Sequence, residues 1–127
     1  MMIEKMIGVV FSEVKQKGDD LIFIAENGDR FMFSHHQDCC ETVEIESIVG
    51  DLEDLIGNPM LIAEESTSNE NPVDAKPETI KYQDSYTWTF YKFATIKGHV
   101  DVRWYGESNG YYSESVDIDF YPANKES

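Results

Sequence analysis

Basic residues are scarce in this chain. The 127 residues include 10 Lys and Arg against 25 Asp and Glu, which gives a formal net charge of −15. The basic residues are scattered, so the sequence has no basic face that could bind the phosphates of a nucleic acid or an anionic membrane. The charge instead favours a basic partner, such as the surface of a protein that itself binds nucleic acid.

Cysteines and long apolar runs are also scarce. The only two cysteines, Cys39 and Cys40, are adjacent. The N-terminus MMIEKMIGVVFSEV is interrupted by charges and lacks the features of a signal peptide, and no stretch is as long as a transmembrane helix. We therefore expect a cytoplasmic protein without membrane association, whose cysteines are reduced thiols and form no structural disulfide.

Apolar residues are nonetheless abundant enough to build a core. Hydrophobic residues make up 41% of the chain and aromatic residues 13%, which predicts one folded domain over residues 1–127. The segment STSNENPVDAKPE (66–78) has two prolines and no periodicity. It predicts a mobile polar loop at about residues 66–80.

Period-two alternation dominates the pattern and predicts a mainly β protein of about seven or eight strands with one short helix. Asn27-Gly28 between two apolar runs indicates a tight hairpin. Asp51 is a candidate cap for the short helix, which Gly57 and Pro59 would end. The architecture is a single antiparallel curved sheet, a sandwich or a partly open barrel. The predicted strands cover residues 6–17, 21–25, 30–34, 42–48, 60–65, 85–97, 99–105 and 113–121.

The segment HHQDCCE (35–41) concentrates residues that bind metals or act as nucleophiles. Zinc requires four Cys or His ligands, and a sharp turn at Gln37-Asp38 could bring His and Cys side chains together. A second interpretation is a structural turn with one cysteine in the core. A third is a thiol nucleophile, although no glycine-rich turn or helix N-terminus nearby supplies an oxyanion hole. Zinc is the one cofactor that the sequence suggests, and its candidate ligands are His35, His36, Cys39 and Cys40.

Acidic residues are concentrated in one part of the chain. Eleven acids and one base, Lys76, lie between residues 41 and 78, which leaves a net charge of −10 there. This concentration predicts an acidic interaction face that would attract a basic partner. Its candidate members are Glu41, Glu44, Glu46, Asp51, Glu53, Asp54, Glu64 and Glu65.

The stretch RWYGESNGYYSE (103–114) is rich in aromatic residues around two glycines. Trp104 alternates in phase with Val100 and Val102, which predicts that it packs in the core. Tyr105, Tyr111 and Tyr112 are the candidates for an aromatic surface loop that could contact a partner.

Four blocks of the sequence carry a resemblance to a known family. They are FSHHQDCCE (33–41), VGDLEDLIGNP (49–59), DSYTWTFYKFATIKG (84–98) and RWYGESNGYYSES (103–115). In these blocks the chain resembles a family of small uncharacterised proteins encoded by bacteriophages and bacteria. The resemblance implies a phage or prophage setting, and it assigns no activity and no catalytic residue.

The leading hypothesis is a non-enzymatic protein that binds a bacterial host protein through its acidic face. Such a protein could act as an inhibitor or as a mimic of nucleic acid. The sequence contains no Walker loop, G-x-G-x-x-G, H-E-x-x-H or G-x-S-x-G motif. The alternatives are a metal- or small-ligand-binding domain centred on HHQDCCE and a thiol-dependent enzyme. Self-association into a homo-oligomer stays open.

Overall fold

Eight antiparallel strands form two four-stranded sheets in the computed structural model, which describes residues 2–37, 40–74, 85–108 and 113–123. The first sheet has the order β1-β2-β3-β8 and the second sheet the order β4-β7-β6-β5. The strands of the first sheet are β1 (Phe11–Lys17), β2 (Asp20–Ala25), β3 (Arg30–Ser34) and β8 (Asp117–Tyr121). Those of the second sheet are β4 (Thr42–Val49), β5 (Ile62–Ser68), β6 (Ser85–Thr95) and β7 (Gly98–Ser108).

The two sheets pack face to face around an aromatic core. The ring centroid of Phe23 on β2 lies 4.9 Å from that of Phe93 on β6, and Phe33 on β3 lies 4.9 Å from Tyr91 on β6. In β2 and β3 the buried side chains alternate with more exposed neighbours, as expected for strands with one face on a core. The prediction of a mainly β fold is confirmed, and of its three architectures the sandwich is the observed one.

The beginning of the first predicted strand is wrong. Residues Met2–Met6 form a 3₁₀ helix, and strand β1 begins only at Phe11. Ile3 and Met6 are both buried, and their spacing of three matches the three residues per turn of a 3₁₀ helix. Ile7, which lies within the predicted strand 6–17, is 48% exposed.

The short helix is confirmed as a single 3₁₀ turn, Leu52–Leu55. The side chain of Asp51 caps it by accepting a hydrogen bond from the backbone N of Glu53 at 3.0 Å. Neither 3₁₀ helix in the described part of the chain is long or apolar enough to cross a membrane.

Part of the predicted polar loop is a strand. Strand β5 continues to Ser68, where Ser66, Thr67 and Ser68 pair with β6. Backbone hydrogen bonds to β6 hold these three residues in the strand. Their polar side chains are tolerated because β5 lies at the edge of the sheet. Of the remaining predicted loop, residues 69–74 are described, and residues 75–80 lie outside the described residues.

The chain crosses between the sheets twice, and the two crossings lie side by side. The first leads from β3 to β4 through the HHQDCCE segment, and the second leads from β7 to β8. The second crossing passes over Gly106, where a Cβ atom would lie 2.5 Å from the carbonyl oxygen of Glu114. Only glycine accommodates that approach, so the sequence fixes where the crossing packs against β7.

Candidate functional site

His35 is held at the first crossing by hydrogen bonds at both ring nitrogens. Its Nδ1 lies 2.7 Å from the carbonyl oxygen of Ser115, and its Nε2 lies 2.6 Å from Oε2 of Glu41. A carbonyl oxygen can only accept, so Nδ1 carries a proton and donates it. The Nε2–Glu41 contact then holds one shared proton, either as an ion pair or as a neutral pair. Both side chains are almost fully buried, with 4% and 0% exposure.

His36 ties the same crossing to strand β8. Its backbone N donates to Oδ2 of Asp117 at 2.8 Å, and its Nε2 lies 2.7 Å from Oδ2 of Asp119. The hydrogen bond to Asp119 raises the pKa of the exposed imidazole, and the negative charges of Asp117 and Asp119 add to this effect. We call His35, His36, Glu41, Ser115, Asp117 and Asp119 together the crossing site.

The expected state of the cysteines in HHQDCCE is corrected by the structure. Cys40 is disulfide-bonded, whereas the sequence led us to expect reduced thiols. Asp38 and Cys39 lie outside the described residues, and the Nε2 of Gln37 closes the segment by donating to the carbonyl of Glu41 at 2.7 Å. Within the described ranges no three His, Cys, Asp or Glu side chains are grouped so that they could hold a metal ion. A disulfide sulfur is not a thiolate, so Cys40 in this form is not available as the predicted zinc ligand. The zinc hypothesis, which also includes Cys39, stays a prediction.

A second hydrogen-bonded pair lies on the inner face of the second sheet, where Tyr91 is buried and Glu65 is half-buried. The hydroxyl of Tyr91 donates to Oε2 of Glu65 at 2.5 Å. Burial raises the pKa of Tyr91 far above its usual value, and the hydrogen bond to Glu65 and the charges of Glu65 and Asp117 raise it further. The phenol therefore stays protonated and acts as a hydrogen-bond donor. Sequence reasoning missed this pair, although the alternation that buries Ala63 also points Glu65 inward.

The predicted acidic face is divided. Glu41 is buried against His35, the side chain of Glu46 is 2% exposed, and Glu65 bonds Tyr91, so these three do not lie on an open face. Each of the three carboxylates has a hydrogen-bond partner within the protein: His35 for Glu41, Arg103 for Glu46 and Tyr91 for Glu65. Two of the remaining five, Glu44 and Glu64, follow the outer alternation of the second sheet. The other three, Asp51, Glu53 and Asp54, lie at the second 3₁₀ helix.

The prediction of an aromatic surface is wrong for Tyr105. Its side chain is 1% exposed, its ring lies 4.6 Å from that of Trp88, and its hydroxyl donates to Glu107 at 2.8 Å. Tyr111 and Tyr112 lie outside the described residues. Trp104 is fully buried in the core, as its phase predicts.

Residues 69–74, here called the strap, cover one half of the outer face of the second sheet. Three side-chain hydrogen bonds attach the strap, each 2.9 Å long: Asn69 Nδ2 to the carbonyl of Tyr86, Trp88 Nε1 to Asn71 Oδ1, and Arg103 Nη1 to Asp74 Oδ1. Trp88 is fully buried although it points away from the core. Trp88 and Tyr105 both point away from the core, but the strap bonds Trp88 and Tyr105 packs against it, so neither side chain is exposed.

The other half of the outer face is open and forms a groove of about 580 Å³. Phe90 provides apolar surface on its floor, and Glu64, Lys92 and Asp101 form a row across three strands. These three side chains make no ion pair among the described residues. The charged residues that line the groove are Glu64, Glu65, Asp74, Asp101, Lys92 and Arg103. Glu65 points inward and bonds Tyr91, and the other five, three acids and two bases, carry a net charge of −1.

Arg103 is fixed at the border between the groove and the strap. Its Nε donates to Oε1 of Glu46 at 2.7 Å, and its guanidinium lies 5.3 Å from the ring centroid of Trp88. A β-bulge between Ile45 and Ser47 inserts Glu46 into the position that faces Arg103. The hydrogen bond to Glu46 raises the pKa of Arg103, so the guanidinium is permanently charged.

A family model described as a domain of unknown function, DUF7448, matches residues 2–118. The matched range contains both crossings, the strap and all residues of the groove. No curated protein and no solved structure matches the chain.

Proposed function

The chain belongs to the DUF7448 family of domains, and we propose that it is a non-enzymatic binding protein whose groove takes a basic segment of another protein. The observation that carries this proposal is the row Glu64, Lys92 and Asp101, where two carboxylates that form no ion pair within the described residues lie on an open face beside Phe90. Unpaired carboxylates next to apolar surface suit lysine or arginine side chains, whose apolar stems and charged ends need both kinds of contact.

The size and charge of the groove support the same proposal. A volume of about 580 Å³ lies within the usual range for a binding site, about 300–1,000 Å³. The net charge of −15 would draw a basic partner toward the protein before contact and raise the association rate at low salt.

Neither His35 of the crossing site nor the buried Tyr91 supports a catalytic role. Both ring nitrogens of His35 are engaged, and the phenol of Tyr91 stays protonated. A general base needs a free lone pair within reach of a substrate proton. Both ring nitrogens of His35 are engaged and a protonated phenol is a poor base, so neither side chain is our candidate for a general base.

The partner we propose is a host protein in the bacterial cytoplasm. The bacteriophage setting implied by the sequence resemblance supports a host target. A basic surface that normally binds nucleic acid is the most suitable kind, since its lysines and arginines would meet the carboxylates of the groove.

Peptide binding tests the proposal without knowledge of the natural partner. The probe is a decapeptide of alternating lysine and valine, and the same peptide with glutamine for lysine is its control. We expect the lysine peptide to bind at about 50 mM salt and to weaken by roughly tenfold or more at about 300 mM. Isothermal titration calorimetry measures both affinities.

Matched variants locate the binding surface. The double variant Glu64→Gln/Asp101→Asn removes two charges from the groove, and Glu13→Gln/Glu26→Gln removes two charges from exposed positions on the first sheet and its hairpin. We expect the groove variant to bind about fivefold or more weakly and the control to change less than about twofold. Equal losses in both variants would show that net charge, and not the groove, attracts the peptide.

A further inference from the structure

The two carboxylates that contact Arg103 are held very differently. Glu46 is enclosed, and it bonds Nε from a fixed position in strand β4. Asp74 bonds Nη1 from the strap, and its side chain is 73% exposed. An exposed ion pair of this kind contributes little to stability because solvent screens it. Asp74 can therefore leave Arg103 at low cost, whereas Glu46 keeps the guanidinium in place.

We propose that Arg103 is a carboxylate-binding subsite of the groove, which the chain's own Asp74 fills until a carboxylate of the bound partner replaces it. The incoming group is an acidic side chain or a chain terminus next to the basic segment. The proposal rests on the proposed function, because it takes the groove as the binding surface.

The position of the guanidinium suits this exchange. Trp88 lies beside it and Glu46 holds Nε, so its orientation does not depend on Asp74. Among the described residues no hydrogen bond to Nη2 is present, and Arg103 lines the groove. When Asp74 leaves, Nη1 and Nη2 together present the planar pair of donors that binds a carboxylate with two parallel hydrogen bonds.

The surrounding charges select the kind of anion. In the exchange one carboxylate replaces another on the guanidinium, so the ion pair at Arg103 keeps its charge balance. A phosphate monoester would bring nearly two negative charges to a groove that already contains Glu64 and Asp101. A carboxylate is therefore the ligand class that the subsite accepts.

The test uses a small carboxylate, so that it does not depend on binding of a basic peptide. The probe is N-acetylglycine, and N-acetylglycinamide is the uncharged control, with ionic strength kept constant by sodium chloride. Nuclear magnetic resonance follows the Nε1–H signal of Trp88, which bonds Asn71 on the strap, and the Nε–H signal of Arg103. We expect saturable shifts with the acid and none with the amide.

Two variants of the strap separate exchange from a general charge effect. Asp74→Asn removes the competing carboxylate, and Glu70→Gln removes the same charge from a strap residue whose side chain is not a partner of Arg103. We expect Asp74→Asn to saturate at a concentration about fivefold lower than the wild type and Glu70→Gln to saturate at nearly the wild-type concentration. Arg103→Lys keeps the charge but loses the planar donors, and its Trp88 signal should show no saturation.

Three results would overturn the inference. The acid and the amide could give equal shifts, or the shifts could fail to saturate in both Asp74→Asn and the wild type. The third is that Glu70→Gln lowers the saturating concentration as much as Asp74→Asn does. None of these results depends on the affinity for the lysine peptide, which tests the proposed function separately. If the lysine peptide does not bind and N-acetylglycine does, the carboxylate subsite stands and the proposed partner is wrong.

Discussion

The crossing site and the groove both contain charged side chains, but the groove also contains charged side chains that form no ion pair among the described residues. At the crossing, His35, Glu41 and His36 each bond a partner within the chain. In the groove, Glu64, Lys92 and Asp101 make no ion pair among the described residues, and Asp74 holds its arginine from an exposed loop. Residues that complete their hydrogen bonds stabilise the fold. Residues that leave them open are available to a partner, which is why we place the proposed binding in the groove and not at HHQDCCE.

The largest effect of a single substitution should come from the buried pair at the crossing. Glu41→Ala removes one partner and leaves His35 Nε2 enclosed without its hydrogen bond. We expect the free energy of unfolding to fall by about 3–5 kcal/mol. Urea denaturation measures it, and Glu64→Ala in the groove is the matched control, with an expected change below about 0.5 kcal/mol. Similar losses in both variants would contradict the distinction between the two regions.

Removal of Arg103 should have the next largest effect. Arg103→Ala leaves the carboxylate of Glu46 enclosed without a cation, and its Oε2 already has no hydrogen bond among the described residues. We expect a loss of about 2–3 kcal/mol in the free energy of unfolding, less than for a fully buried pair because Arg103 is partly exposed. Lys92→Ala, one row away, should change it by less than about 0.5 kcal/mol. A loss as small as that in Arg103→Ala would show that Glu46 does not depend on the guanidinium.

Gly106→Ala tests how tightly the second crossing packs on β7. The added Cβ would meet the carbonyl oxygen of Glu114 at 2.5 Å, which the backbone cannot avoid without a shift. We expect a loss of about 1–3 kcal/mol. Gly98→Ala is the control, because its nearest neighbour is the flexible carboxylate of Asp54. Thermal unfolding should show a larger drop in Tm for Gly106→Ala, and equal drops would contradict the close approach.

The smallest effect is a pH dependence at His36. Its pKa is raised in the folded protein, so its contribution to stability is fully present below the unfolded pKa of about 6.5 and is lost as pH rises through the folded value. The stability difference between the wild type and His36→Gln should therefore shrink as pH increases from about 5.5 to about 8.5. Chemical denaturation at several pH values measures it, and a constant difference would exclude a charged bond to Asp119.

The strands could be predicted from the sequence because their causes are local. Alternation along Tyr86–Thr95 and Val100–Trp104 is visible in the letters, and Asn27-Gly28 marks its own turn. The strand prediction was wrong at the N-terminus because Ile7, Val9 and Phe11 alternate as in a strand. The buried residues Ile3 and Met6 instead follow the three-residue period of a 3₁₀ helix. The choice between sheet, sandwich and barrel depends on strand pairing, which the pattern does not specify.

The candidate site was less predictable because its contacts are distant in sequence. His35 bonds Ser115 and Arg103 bonds Glu46, and these partners are separated by 80 and 57 residues. The phase of Tyr105 points outward, as predicted, but no local signal shows that the strap covers its neighbour Trp88. The negative charge was visible from composition, whereas its division between internal pairs and the groove was not.

Mapping of the lysine-peptide contact by nuclear magnetic resonance tests the central claim most directly. The account predicts that the largest backbone shifts occur at Phe90, Lys92, Asp101 and Arg103, with little change at His36 and Asp119. The largest shifts at the crossing site, or small shifts spread over all exposed acids, would contradict a binding role for the groove.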